Sequence, residues 1–106
     1  MTLYEILTDE YTGLDIPVAY SHFMEDDAPD EPPYLVYIGQ GQDNLAADNT
    51  YVYAQNHYQL EYYFTKKDEE QEAGIEAILL ENGLLYQKSE DVYIEEEGVF
   101  VIYYTI

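Results

Sequence analysis

A chain of 106 residues is long enough for one hydrophobic core. It contains no cysteine, so it has neither a disulfide framework nor a thiolate metal site or cysteine nucleophile. Its 23 acidic residues face three basic ones (Lys66, Lys67 and Lys88) for a formal net charge of −20, which argues against direct binding to a nucleic-acid backbone.

Acidity alone would suggest disorder, but 47% of the residues are hydrophobic and 14 are tyrosine, so the chain is expected to fold as a single domain, 1–106. No stretch approaches the roughly 20 apolar residues of a membrane helix. The start Met1-Thr2-Leu3-Tyr4-Glu5 lacks the basic residues of a signal peptide, so the cytoplasm of the producing cell is the expected location.

Thr2 and Glu5 form a capping box ahead of Leu3, Ile6, Leu7 and Tyr11 at helical spacing, and Gly13 is a suitable terminator. This predicts a first helix over residues 3–12. Pro17 breaks the chain, and residues 18–24 read as a short strand. Residues 25–33, acidic and proline-bearing, read as an exposed loop. The run from Tyr34 to Ile38 suits a strand, and the polar residues 39–49 then read as a long turn.

Residues 50–65 carry the clearest alternation. Val52, Ala54, Tyr58, Leu60, Tyr62 and Phe64 share one parity, and Gln55, His57, Gln59 and Glu61 the other. One face therefore belongs to a core and the other to water or a partner. Tyr51, Tyr53 and Tyr63 fall on the more polar face.

Asp68 is placed to cap a second helix, 68–82, with Glu69, Glu70 and Glu72 complementing the positive end of its dipole. Ile75, Ile78, Leu79 and Asn82 mark one side, Gly74 suggests close approach to a sheet, and Gly83 ends the helix. A hairpin follows, with strands 92–95 and 99–106 joined at Glu96-Glu97-Gly98. The order predicts an α+β fold, a mostly antiparallel sheet of about four to five strands with two helices packed on one face.

No constellation marks a catalytic, cofactor or metal site. A carboxylate pair for acid–base work needs one desolvated member, whereas the clusters at 25–31, 68–72 and 95–97 fall in loops or at a helix start where water screens them. His22 and His57 lack zinc-motif spacing. Asp26, Asp27, Asp30 and Glu31, and likewise Asp43, Asp48 and Asn49, do not match an EF-hand loop. Gly39-Gln40-Gly41-Gln42 leads into no lysine or helix and is not a phosphate loop.

The tyrosines exceed what one small core buries, and tyrosine tolerates a half-wet interface. Tyr51, Tyr53, Tyr63 and His57 are therefore the candidate interface residues.

The helix Leu3 to Tyr11, the segment Pro33-Tyr34-Leu35-Val36-Tyr37, the long strand from Tyr51 to Thr65, the helix opening Asp68-Glu69-Glu70-Gln71 and the closing segment from Tyr86-Gln87-Lys88 to Tyr103-Tyr104-Thr105-Ile106 follow one another in an order. That order resembles the small neck and tail-completion proteins of long-tailed bacteriophages and prophages, the tail terminators included. The resemblance implies a non-enzymatic virion protein, made in the host bacterial cytoplasm. It would close a homo-oligomeric ring, often a hexamer, against other phage neck or tail proteins, with no cofactor. A second expectation from the charge is an acidic DNA mimic that occupies the cleft of a nucleic-acid enzyme.

Overall fold

The structure, a computed structural model, describes residues 2–8, 14–23, 29, 31–47 and 51–106, with backbone alone for 42–47 and 51–56. Helix α1 (Leu3–Thr8) and strand β1 (Val18–Tyr20) precede two long strands, β2 (Tyr34–Ala47) and β3 (Tyr51–Phe64). Helix α2 (Glu69–Glu81) follows, then β4 (Gln87–Lys88), β5 (Val92–Ile94) and β6 (Val99–Thr105). Among the described residues these make an α+β fold with one sheet in the order β1-β2-β3-β6-β4, and β5 also pairs with β6. Only β1 and β2 run parallel; the remaining pairs are antiparallel.

Both helices begin as their sequences dictate. The Glu5 N–H donates to Thr2 Oγ1 (3.2 Å), while Glu5 Oε1 accepts from the Thr2 N–H (3.4 Å), so donors left free at the helix start are satisfied reciprocally. Asp68 accepts from the Gln71 N–H (3.1 Å) at the start of α2. That helix ends at Asn82, where the N–H groups of Gly83 and Leu84 donate to the carbonyls of Leu80 and Leu79. Gly83 takes the positive φ (74°) that this Schellman closure requires. The expected continuation of the first helix to residue 12 lies outside the described residues, as do Met24 and most of the acidic loop.

The core lies between the helices and one face of the sheet. Leu3 and Leu7 from α1, and Ile75 and Leu79 from α2, meet Leu35, Leu60, Tyr62, Phe64, Ile102 and Tyr104. The registers Leu35↔Tyr62↔Ile102 and Leu60↔Tyr104 carry this set across three strands, so the parity read from residues 50–65 holds where side chains are described. Complete burial of a side chain such as Leu60 contributes about 1.5–3 kcal/mol.

Four expectations need correcting. Residues 39–47 are strand rather than turn, because β2 stays paired with β3 as far as Ala47↔Tyr51. The two glycines and the glutamines that look like a turn instead absorb a bulge between Gly39 and Gln42, with Gly41 at φ 92°. The strand over 18–24 stops at Tyr20, since Ser21 adopts φ 65° and turns the chain. A Cβ added at Gly74 would meet nothing within 4 Å, so that glycine permits no close approach. Glu72 is not a screened member of an acidic surface cluster: it is 3% exposed.

Candidate functional site

Strand alternation leaves Tyr34, Val36 and Ile38 of β2, Glu61 and Tyr63 of β3, and Val101 and Tyr103 of β6 on the face away from the helices. Val36 and Val101 are nevertheless buried there. Tyr63 pairs with both Tyr34 and Val101 in the ladders, and its ring stacks on Tyr34 with centroids 5.0 Å apart. Phe23 meets Tyr34 edge-on at 5.5 Å. The Tyr63 hydroxyl donates to Glu61 Oε1 (2.6 Å). Burial and that bond to a carboxylate hold its pKa well above the ordinary tyrosine value.

Phe23 reaches this face because of the turn after β1. The His22 N–H donates to the Tyr20 carbonyl (2.7 Å), closing a three-residue turn around Ser21, whose positive φ is uncommon for a residue with a Cβ. Ser21 is held there by its own N–H, which donates to the Tyr37 carbonyl (2.7 Å) and extends the parallel ladder by one bond. The turn directs the chain over the open face, where a cavity of about 230 Å³ lies between Phe23, the Tyr34–Tyr63 pair, Val36, His22 and Glu97. Burial raises the Tyr34 pKa, and the nearby Glu97 carboxylate raises it further.

A second polar cluster lies at the helix side. Glu72 Oε1 accepts from Lys88 Nζ (2.9 Å) and Lys67 Nζ (3.1 Å), and its Oε2 lies 2.8 Å from Lys67 Nζ in an ion pair without a directional hydrogen bond. Lys67 also reaches Asp91 (3.0 Å). Lys88 bonds Glu76 Oε2 (3.0 Å), an oxygen that also accepts from the Tyr104 hydroxyl (2.9 Å). The Tyr86 hydroxyl donates to the other oxygen of Glu76 (3.1 Å). Hydrogen bonding to Glu72 pushes the Lys67 pKa up to about 12. Two of the three lysines are therefore engaged in tying β4 and the start of α2 together. Every charged member has an opposite charge beside it, so this is a fastening.

The third feature is an arm. β3 pairs with β6 from Gln59 to Phe64, and Tyr58 exchanges backbone bonds with Ile106. β1 covers β2 only at residues 35–37, and the Gly39 N–H just beyond donates to the Tyr20 hydroxyl (3.3 Å). Past those points, residues 42–47 and 51–56 pair with each other, and among the described residues no third strand joins them. At the rise of an extended chain the arm reaches about 20 Å beyond the body. The molecule measures 51 × 32 × 29 Å.

The four candidate interface residues do not gather at one point. Tyr63 sits at the centre of the open face, and Tyr51 and Tyr53 pair with Ala47 and Leu45 in the arm, their side chains outside the described residues. His57 lies at the base of the arm, half-buried, with Nδ1 3.2 Å from the Ile106 carbonyl, a contact in which the ring nitrogen donates. Tyr53 and Tyr63 lie about 34 Å apart along one strand. Sequence reasoning missed Tyr34, Phe23 and Glu97, which approach Tyr63 only through the turn at Ser21 and the hairpin between β5 and β6.

Among the described residues no group of three His, Cys, Asp or Glu side chains is placed to hold a metal ion, and no helix is long and apolar enough to cross a membrane. Of the acidic clusters considered for calcium, Asp26, Asp27, Asp30, Asp48 and Asn49 lie outside the described residues, as does the side chain of Asp43. No protein-family model matches the chain, nor does any curated protein or solved structure.

Proposed function

We propose that this chain is a structural subunit of a bacteriophage or prophage head–tail junction or tail end, a ring-forming protein of the tail-completion kind. The observation that carries the reading is the arm of residues 42–47 and 51–56, which projects from the sheet with no third strand among the described residues on either outer edge. A two-stranded ribbon is marginally stable in water and offers two rows of backbone donors and acceptors, so it gains most by adding to a neighbour's sheet. The order of elements and the half-wet tyrosines support the same reading. The net charge of −20 acts against association at low salt and keeps a free subunit from joining prematurely. The subunit would then reside in the host bacterial cytoplasm until it meets the other neck or tail proteins of the virion.

Negative-stain imaging together with light scattering as salt is raised tests this. Closed rings appearing once the charge is screened support the reading. A chain that stays monomeric at every salt concentration and instead captures a basic nuclease moves it to the acidic DNA mimic.

A further inference from the structure

We propose that the cavity between Phe23, Tyr34, Tyr63 and Glu97 binds a guanidinium group, the side chain of an arginine presented by a partner protein. The geometry supplies what such a group needs. Tyr34 stands edge-on to Phe23 (5.5 Å, 88°) and stacked on Tyr63 (5.0 Å, 22°), so aromatic surface bounds the space from two directions. A ring face carries a negative quadrupole and attracts a cation, and a planar guanidinium also stacks on it.

Glu97 supplies the charge. It sits in the turn between β5 and β6, where its own N–H and that of Gly98 donate to the Ile94 carbonyl (3.2 and 2.8 Å), which fixes the backbone of a residue that lines the cavity. No lysine lines the cavity, and Lys67 and Lys88 are committed to Glu72 on the other side of the sheet. Among the described residues the lining thus combines one carboxylate with aromatic rings and His22 and holds no lysine, in a chain of net charge −20.

Two observations fix the occupant. An ammonium group is compact and strongly hydrated, whereas the described lining is dominated by the flat rings of Phe23, Tyr34 and Tyr63 beside the single carboxylate of Glu97, with Ser21 and His22 at its edge, and ring faces match a planar, weakly hydrated cation. This chain contains no arginine, so a second copy cannot supply the group and the occupant comes from a different protein. The strained turn at Ser21, which carries His22 and Phe23 to the cavity wall, is the kind of backbone outlier that accompanies a ligand site. The inference does not rest on ring formation and survives if the chain proves monomeric.

The test is a residue-resolved NMR titration of the full chain with ethylguanidinium, ethylammonium and the neutral ethylurea. The ring signals of Tyr34, Tyr63 and Phe23 should shift saturably at millimolar ethylguanidinium. Binding should be about fivefold weaker for ethylammonium and absent for ethylurea. Glu97→Gln, an exposed turn position, should weaken ethylguanidinium by about tenfold, the loss of one charge-assisted bond at a partly wet site. Glu69→Gln, which removes an equal charge far from the cavity, should leave it unchanged. Shifts that never saturate, equal affinity for ethylammonium, or equal losses in the two variants would overturn the proposal, since each means that diffuse charge is the only attraction.

Discussion

Lys88 Nζ lies 2.9 Å from an oxygen of Glu72, the one buried carboxylate among the described residues, 3% exposed. Two lysines share that single buried charge, and both keep part of their length in solvent. Without Glu72, Lys67 would keep Asp91 and Lys88 would keep Glu76, whereas Glu72 without both lysines would be a buried charge with no cation beside it. Removing one lysine leaves the other in place.

A Lys67→Ala, Lys88→Ala double variant, which leaves the buried Glu72 without a cation, is accordingly expected to cost about 3 kcal/mol, the lower end for breaking a buried pair. Lys88→Ala should cost about 1 kcal/mol. Urea unfolding with an unchanged slope checks both, and equal losses would show that Lys67 does not hold Glu72 alone.

Glu76 gives a pH signature. Burial by itself would raise its pKa, but hydrogen bonds from Lys88, Tyr104 and Tyr86 outweigh this and hold it below its ordinary 4.5. A depressed folded pKa means stabilisation that is present above the unfolded value and lost as pH falls through the folded one. The difference in unfolding free energy between wild type and Glu76→Gln should thus be about 2 kcal/mol at neutrality, persist down to the ordinary carboxylate range and fall away on further acidification. A difference that grows on acidification would contradict the network.

Gly74 offers the opposite kind of change. It lies within α2 with open space where a Cβ would stand, so Gly74→Ala should raise stability by about 0.5–1 kcal/mol through helix propensity. A loss of stability would mean that the helix packs more closely there than its geometry shows. Thermal melts of the pair decide it.

At Ser21 a glycine should be an improvement. With φ at 65°, Ser21→Gly relieves a backbone conformation that costs a side-chain-bearing residue on the order of 1 kcal/mol, and the variant should melt no lower than wild type.

Much of this architecture is legible in the residues because local signals agree with tertiary demand. Thr2 with Glu5, Asp68 with Gln71, and Gly83 each satisfy the orphan backbone groups at a helix end, and those groups need partners in any fold. Leu60, Tyr62 and Phe64 alternate because one side of β3 meets helices. Residues 39–47 misled because their pairing partner, and not their own pattern, makes them strand. β4 has two residues and therefore no period to read.

Glu72 did leave a trace. It precedes Ile75 by three positions and Leu79 by seven, on the same helix stripe, so helical spacing places it on the buried side even though its charge reads as surface. The aromatic cavity left none. Phe23, Tyr34, Tyr63 and Glu97 are distant in sequence and meet through one irregular turn and one hairpin.

Sedimentation of wild type against a Leu45→Lys, Tyr53→Lys double variant at high salt tests the central claim most directly. These positions pair with each other in the arm, far from the core. Lysines on an exposed edge oppose strand addition, while the two added positive charges lower the overall repulsion and would favour any nonspecific association. The account predicts a discrete oligomer for wild type and a folded monomer for the variant. An oligomer of the same size in both, or a monomeric wild type under all conditions, would contradict it.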